Sequence, residues 1–260
     1  GDTGNNIIEG GLGDDALDGG LGNDTASYAS ATSGVTVSLK LATAQNTSGA
    51  GTDTLAGFEN LIGSAYNDTL TGDSGTNILN GDSGDDMLIA GAGGADTLIG
   101  GSGTDTASFS DATAGVAITI NGSGTNADGA TVTLTGIENL IGSAYNDTLT
   151  GDSLNNLIIG GTGDDIINGM GGNDTVSYAD TTSFVTVNLA NTGVNVSGGA
   201  GNDSLSNVEN IIGSAYHDTI TGDGADNVIE GGLGNDILNG GAGSDTASYT
   251  SAGSGVTVSL

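Results

Sequence analysis

The sequence predicts an all-β fold in which short strands and glycine-rich turns repeat as a solenoid. A nine-residue motif recurs along most of the chain, and a fixed short period is the signature of a repeat architecture. The 260 residues include 51 glycines and no proline, and no segment has the hydrophobic period of a helix. Collagen is excluded because its strict three-residue glycine period and its proline are both missing.

The repeat follows the pattern G-G-x-G-x-D-x-U-x, where U is a large aliphatic residue. Gly10–Asp18 reads GGLGDDALD, and Gly160–Asn168 reads GGTGDDIIN. Sixteen such frames fall into four blocks, with Ala90 as a one-residue insertion. The blocks cover residues 1–27, 63–108, 142–177 and 213–248.

Each frame has a turn half and a strand half. Glycine at positions one, two and four reaches positive φ without steric cost, so positions one to six form a tight turn that points carbonyl groups inward. Positions seven to nine form a short strand whose central aliphatic side chain faces the core. Two frames complete one coil of about 18 residues, so turn n stacks on turn n+2.

Four spacers follow the blocks, at residues 28–62, 109–141, 178–212 and 249–260. They open with alternating segments such as Val35–Leu39 and Val185–Leu189, and a period of two predicts a half-buried strand. Residues 48–56 and 198–206 then return to the nonapeptide pattern. We therefore expect the spacers to be wider coils of one continuous solenoid over residues 1–260.

Aromatic residues recur at two fixed phases of the repeat. One set follows the last frame of each block and is expected to pack on the wider coil: Tyr28, Phe109, Tyr178 and Tyr249. The other set replaces a turn glycine in GSAY frames and is expected to cover the end of the core: Tyr66, Tyr145 and Tyr216.

Charge and composition exclude several classes of function. With 32 acidic residues and a formal net charge of -31, Lys40 alone cannot build a phosphate-binding surface, so nucleic acid is excluded as a partner. No run of about 18 apolar residues exists, so no membrane span is predicted. His217 stands where sister repeats have Asn67 and Asn146, which indicates a tolerant surface position. We predict no catalytic residue, no organic cofactor site and no enzymatic activity.

Bound cations are the expected compensation for the charge. Stacked turns bring carboxylates and several carbonyl oxygens together, and Ca²⁺ takes six to eight oxygen ligands at about 2.3–2.6 Å. Mg²⁺ demands a strict octahedron and retains its water, so a cage rich in carbonyls favours calcium. Zn²⁺ needs His or Cys, and the sequence offers only His217.

The tandem G-G-x-G-x-D-x-U-x frames resemble the hemolysin-type calcium-binding repeat, the repeats-in-toxin (RTX) family. The resemblance implies a right-handed parallel β-roll with calcium bound between stacked glycine-rich turns. It also implies secretion through a one-step type I exporter of a bacterium, with folding outside the cell where calcium is abundant.

The resemblance assigns the calcium ligands to position six of the frames. The aspartates of this set are Asp15, Asp24, Asp68, Asp86, Asp96, Asp105, Asp147, Asp165, Asp174, Asp218, Asp236 and Asp245, joined in the spacers by Asp53 and Asp203. Four frames carry asparagine instead: Asn6, Asn77, Asn156 and Asn227. Stacked pairs of these residues predict about eight calcium ions or more. We expect Asp/Asp pairs to fill before pairs that contain asparagine, because they carry one more charge.

Three glutamates recur on a fixed phase outside the frames: Glu59, Glu138 and Glu209. The favoured interpretation is a stacked polar ladder along the solenoid. An additional cation site is the alternative, and the sequence leaves both open.

The predicted function is calcium-dependent structure. The chain begins and ends within the repeat pattern, so we expect it to be a section of a longer secreted protein at the bacterial cell surface. There it would be an extender, fibre or layer-forming adhesin-like array, with calcium ions, adjacent repeats and like chains as its partners. The alternative is the C-terminal export and folding module of a secreted RTX enzyme whose catalytic domain lies outside this chain.

Overall fold

The fold is all-β, as the repeat predicts. The computed structural model describes residues 1–191, 193–255 and 257–258, and none of these residues lies in a helix, so no described helix could span a membrane. Residue 192 of the third spacer and residues 256, 259 and 260 of the predicted last spacer lie outside the described residues. The chain divides into two compact units, Gly1–Ile141 and Gly142–Leu260.

Most strands are two to six residues long and coincide with the end of a nonapeptide frame. The strands of the first unit are β1 Ile7–Ile8, β2 Ala16–Asp18, β3 Thr25–Ser27, β4 Thr36–Ser38, β5 Gln45–Asn46, β6 Thr52–Ala56, β7 Asn60–Ile62, β8 Thr69–Thr71, β9 Ile78–Ser83, β10 Met87–Ile89, β11 Thr97–Ser102, β12 Thr106–Ser108, β13 Ala117–Thr119, β14 Ser123–Thr125, β15 Thr131–Thr135 and β16 Asn139–Ile141. Those of the second unit are β17 Thr148–Thr150, β18 Leu157–Ile159, β19 Ile166–Asn168, β20 Thr175–Ser177, β21 Val185–Asn188, β22 Val196–Gly198, β23 Ser204–Ser206, β24 Asn210–Ile212, β25 Thr219–Thr221, β26 Val228–Glu230, β27 Ile237–Asn239 and β28 Thr246–Ser248.

In the first unit, alternate strands of the chain pair in parallel to form two main sheets. One sheet runs in the order β1-β3-β7-β9-β11-β15 and the other in the order β4-β8-β10-β12-β16. Within a nonapeptide block, successive strands therefore belong to different sheets, so two frames make one coil of a parallel β-roll. In the first sheet β11 follows β9 with Leu79 paired to Leu98, a step lengthened by the inserted Ala90.

The second unit repeats this arrangement. Its parallel pairs run in the orders β17-β19-β23, β18-β20-β24-β26-β28 and β21-β25-β27. The same sequence period thus forms the same parallel β-roll in both units.

The core consists of ladders of aliphatic side chains from position eight of the frames. In the first unit one ladder contains Leu61, Leu79, Leu98 and Leu134, and the other contains Leu70, Leu88, Ala107 and Leu140. All eight side chains are buried. A buried Leu of this kind contributes roughly 1.5–3 kcal/mol relative to an exposed one, so the ladders are the main apolar source of stability.

The spacers contain antiparallel strands that the sequence did not predict. The alternating segments do form strands, β4 and β21, and the returning nonapeptides form β6 and β23. The polar stretch between them folds back, because β5 pairs antiparallel with β6, β14 with β13 and β15, and β22 with β21. Each of the first three spacers thus contains local antiparallel pairing within the otherwise parallel roll.

The two aromatic sets differ in burial. Tyr28, Phe109 and Tyr178 are buried beside the wider coils, whereas Tyr249 in the last spacer is exposed. The expectation for the GSAY tyrosines is wrong, since Tyr66 is 48% exposed and its two counterparts are similar. Position four of a turn points away from the roll, whereas the core is filled from position eight of the strand.

Candidate metal centre

Position-six side chains form columns along the stacked turns. Asp68 N–H donates to Asp86 Oδ1 at 2.8 Å, and Asp86 N–H donates to Asp105 Oδ1 at 2.8 Å. The same bond joins every pair that the frame spacing places on consecutive stacked turns: Asn6/Asp24, Asn77/Asp96, Asp147/Asp165, Asn156/Asp174, Asp218/Asp236 and Asn227/Asp245. One carboxylate oxygen of each upper residue is therefore used by the backbone.

The second carboxylate oxygen has no hydrogen-bond donor in much of this set. Within the described residues, the position-six aspartates with a buried, unpartnered Oδ2 are Asp15, Asp24, Asp86, Asp96, Asp105, Asp165, Asp174 and Asp203. A buried carboxylate oxygen without a donor or a cation is costly, so each of these atoms requires an electropositive partner.

Backbone carbonyl groups surround these oxygens. Asp86 Oδ2 and the Gly100 carbonyl oxygen both lie within 3.0 Å of the point where a Cβ on Gly81 would sit. Glycine is required at position 81 because a side chain there would displace both oxygens. Negative oxygens from two turns thus converge with no hydrogen between them, which is the environment that a hard cation such as Ca²⁺ requires.

The turns are of two kinds, which differ in the backbone at position two. In the first kind, here named open turns, the residue after the first turn residue has a left-handed φ. These left-handed residues are Gly11, Gly20, Asp82, Gly91, Gly101, Gly161, Met170, Gly232 and Gly241. The inserted Ala90 is the first residue of its turn, so Gly91 is the second residue and has the left-handed φ. Seven of the eight unpartnered oxygens belong to open turns.

In the second kind, here named closed turns, the turn satisfies its own position-six side chain. Ser64 N–H donates to Asp68 Oδ2 at 2.5 Å, and Ser64 Oγ–H donates to Asp68 Oδ1 at 2.8 Å. Ser143 and Ser214 make the same two bonds to Asp147 and Asp218. The three carboxylates of the GSAY frames are therefore fully hydrogen-bonded.

The asparagine frames are closed in a related way. Asp73 N–H donates to Asn77 Oδ1 at 2.8 Å, and Asp73 Oδ1 accepts Gly75 N–H at 2.7 Å. Asn77 Nδ2 donates to the Glu59 carbonyl oxygen at 2.8 Å. In an open turn, a free carboxylate oxygen lies beside a carbonyl oxygen of the stacked turn. In the closed turn of Asn77, the side-chain amide N–H lies there instead and donates to that carbonyl oxygen. The frames of Asn6, Asn156 and Asn227 have the same bond from position two.

The ranking expected from the sequence separates only aspartate from asparagine, whereas these contacts also separate one aspartate from another. The structure stacks all the residues in the expected pairs, yet it leaves a free oxygen in open turns and none in closed turns. The spacer aspartates stack in the same columns, because Asp53 Oδ1 accepts Asp15 N–H and Asp203 Oδ1 accepts Asp165 N–H, both at 3.0 Å. Asp203 Oδ2 has no hydrogen-bond partner, as in the open turns, whereas Asp53 Oδ2 accepts the Thr47 hydroxyl at 3.3 Å. Among the described residues, no three His, Cys, Asp or Glu side chains cluster, so carbonyl oxygens must complete any coordination shell.

Burial has a direct electrostatic consequence for the open turns. It raises the pKa of Asp96 and Asp165 to about 7 and the pKa of Asp86 to about 6, with neighbouring carboxylates adding to the shift. The pKa of Asp174 is likewise raised to about 6, chiefly by burial. Without a cation, burial therefore favours the protonated form of these side chains.

The three recurring glutamates have a defined place in the roll. Glu59, Glu138 and Glu209 stand in the position-six columns, each directly above an open-turn aspartate. This placement agrees with either interpretation of the sequence, a stacked polar ladder or a cation site. The available signal was their spacing from the following frame, because each glutamate lies nine residues before a position-six aspartate: Asp68, Asp147 and Asp218.

The fold and the turns together define a parallel β-roll whose glycine-rich turns present buried oxygen ligands. The family model of the RTX calcium-binding nonapeptide repeat matches residues 1–26, 53–88, 88–107, 133–153, 150–180 and 212–247. These segments cover more than half of the sequence, and the chain belongs to this family of calcium-binding repeats. No curated protein matches the chain.

Proposed function

We propose that this chain is the calcium-dependent structural part of a secreted bacterial surface protein, which folds outside the cell when calcium binds. The observation that carries the proposal is the set of buried aspartate oxygens without a donor, spread over blocks and spacers. Their desolvation opposes folding until a cation binds, so the binding free energy of calcium is available as folding free energy.

We propose the open turns as the calcium sites of first rank. Their ligands are the unpartnered aspartates together with Asp236 and Asp245. Asp53 ranks below them, because its Oδ2 already accepts the Thr47 hydroxyl. The closed-turn residues Asp68, Asp147 and Asp218, and the four asparagines, rank lower because hydrogen bonds already satisfy them. This order differs from the one that charge alone predicts, in which Asp68/Asp86 would fill early.

A structural role is supported by the uniformity of the chain. The same turn chemistry recurs in both units, and no described residue cluster departs from the repeat to form a separate metal cluster. We propose one continuous solenoid over blocks and spacers that serves as an extender, fibre or layer-forming array. Length and stiffness increase with each added repeat, whereas catalysis gains nothing from identical copies.

Calcium-dependent folding is tested by circular dichroism during a calcium titration. We expect little β-structure in excess chelator and a gain of β-structure in millimolar calcium. Asp86→Asn should raise the calcium concentration at the midpoint, because Asp86 Oδ2 is unpartnered, whereas the exposed neighbour in Asp85→Asn should leave it unchanged. A spectrum that is insensitive to chelator would refute the proposal.

The structural role is tested by electron microscopy of the parent protein with and without chelator. We expect extended fibres or sheets in calcium that lose rigidity when calcium is removed. Compact particles with a co-purifying hydrolytic activity would instead support the export and folding module of a secreted enzyme.

A further inference from the structure

In each of the first three blocks, the turn that stacks on the last open turn has no aspartate in its position-six column. The stacked residue is a glutamate from the returning spacer, in the pairs Asp24/Glu59, Asp105/Glu138 and Asp174/Glu209. The aspartate N–H donates to the glutamate Oε2 at 2.7, 2.8 and 2.9 Å respectively. The glutamate oxygen thus occupies the place that Asp105 Oδ1 takes above Asp86.

The aspartate of each pair has an oxygen that this bond leaves unexplained. Asp24 and Asp105 are 0% exposed and Asp174 is 1% exposed, and the Oδ2 atom of each has no hydrogen-bond partner. Capping of a backbone N–H would account for one glutamate oxygen. It does not account for a buried aspartate oxygen on the adjacent turn.

A backbone carbonyl group supplies a third oxygen at the same place. The residue two positions before the glutamate is left-handed in all three copies, with φ of 64° at Gly57, 62° at Gly136 and 51° at Asn207. Asn207 adopts this conformation although it is not glycine, which is uncommon and costs energy.

This conformation brings the carbonyl oxygen close to the aspartate. The Gly136 carbonyl oxygen and Asp105 Oδ2 both lie within 3.0 Å of the Cβ position on Gly100. The Asn207 carbonyl oxygen and Asp174 Oδ2 stand in the same relation to Gly169. The Gly57 carbonyl oxygen lies equally close to the Cβ position on Gly19.

We propose that each Asp/Glu pair binds one calcium ion, so that Glu59, Glu138 and Glu209 are calcium ligands outside the G-x-G-x-D motif. Two carboxylates and an inward carbonyl oxygen are hard ligands of the type that Ca²⁺ selects. The three sites join the end of a block to the spacer that returns to it. The inference rests on calcium binding by stacked turns, in common with the proposed function, but not on the fibre role.

The test replaces all three glutamates by glutamine and counts bound calcium. Glutamine retains an oxygen that can accept the aspartate N–H, so Glu59→Gln, Glu138→Gln and Glu209→Gln remove charge while preserving the cap. The matched control is Asp14→Asn, Asp85→Asn and Asp164→Asn. These exposed side chains accept an N–H from the next stacked turn in the same way, and the control removes the same total charge.

We expect the glutamine variant to bind three fewer calcium ions by equilibrium dialysis, or to bind three ions at least ten-fold more weakly, and the control to match the unmodified chain. Each single variant should affect one ion. An unchanged number and titration midpoint in the triple glutamine variant would overturn the inference while leaving the proposed function intact. Failure of the unmodified chain to bind calcium would overturn both.

Discussion

The direction of the N–H group at position two distinguishes turns with a free position-six carboxylate oxygen from turns without one. In closed turns this N–H donates to the position-six side chain, as Ser64 does to Asp68. In open turns the left-handed residue directs it elsewhere: Asp82 N–H donates to Asn80 Oδ1 and Met170 N–H donates to Asn168 Oδ1. The position-six carboxylate of an open turn is thereby left without this donor.

Glycine at position 103, the fourth residue of its turn, is required for the close approach of the stacked turn. Gly103 has a φ of 145°, and an added Cβ would lie within 3.0 Å of the Gly84 carbonyl oxygen in the stacked turn. Gly129 in the second spacer has a φ of 86°, but an added Cβ would meet no atom within 4 Å. The two sites thus share an unfavourable φ and differ in steric contact.

We predict that Gly103→Ala destabilises the calcium-bound chain much more than Gly129→Ala. The alanine at position 129 should cost about 1–2 kcal/mol, the conformational penalty alone. The alanine at position 103 adds a backbone clash that separates two stacked turns, so the calcium midpoint should rise as well. Urea unfolding in saturating calcium measures both variants. Equal losses at the two positions would show that the stacked turns tolerate separation.

At the scale of the strand and the turn, the sequence predicted those features that follow from the nine-residue period. The nine-residue spacing predicted the strands, the aliphatic ladders and the stacking of Asp68 on Asp86, because these follow from chain geometry alone. The antiparallel strands of the spacers were missed, since polar segments such as Gln45–Asn46 carry no hydrophobic alternation.

The distinction between open and closed turns could be predicted only in part. Glycine or serine at position two is a usable signal for the two kinds of turn. Aspartate is ambiguous, because Asp73 lies in a closed turn and Asp82 in an open one. The difference lies in the position-six partner: Asn77 accepts the Asp73 N–H, whereas Asp86 is left with a free oxygen.

We predict that Ser64→Ala lowers stability without changing the number of bound calcium ions. The substitution removes the Oγ–H bond to Asp68, and the loss of a hydrogen bond to a buried carboxylate costs about 1–3 kcal/mol. The free energy of unfolding and the bound calcium should be measured together. The control is Ser102→Ala, whose exposed hydroxyl bonds Ser83. A changed calcium count in Ser64→Ala would show that closed turns take part in binding.

At the scale of the whole chain, the net charge of -31 makes protons and calcium alternative means of neutralisation. Self-repulsion of this size opposes a compact state, and the buried aspartates add a desolvation cost. Calcium removes both costs by binding carboxylates. Protonation removes them as well, but only for side chains whose pKa lies above the ambient pH.

The metal-free chain should consequently gain stability as the pH falls from 8 to 5. Burial raises the pKa of Asp96 and Asp165 in the folded state to about 7, against an ordinary value of 3.8. Between these values the folded state binds more protons than the unfolded state, so folding is favoured as the pH falls. Calcium affinity should change in the opposite direction, because protons compete for the same oxygens.

Circular dichroism of the calcium-free protein between pH 8 and pH 5, above the sequence pI of about 4.1, tests this linkage. We expect the β-signal to increase on acidification without calcium and the calcium midpoint to rise over the same interval. Asp96→Asn with Asp165→Asn should weaken the acid-induced gain, because an amide is neutral at every pH in this range. If acid instead removed β-structure from the metal-free chain, the buried aspartates would not be the groups that oppose its folding, and calcium would have to act through the exposed charges.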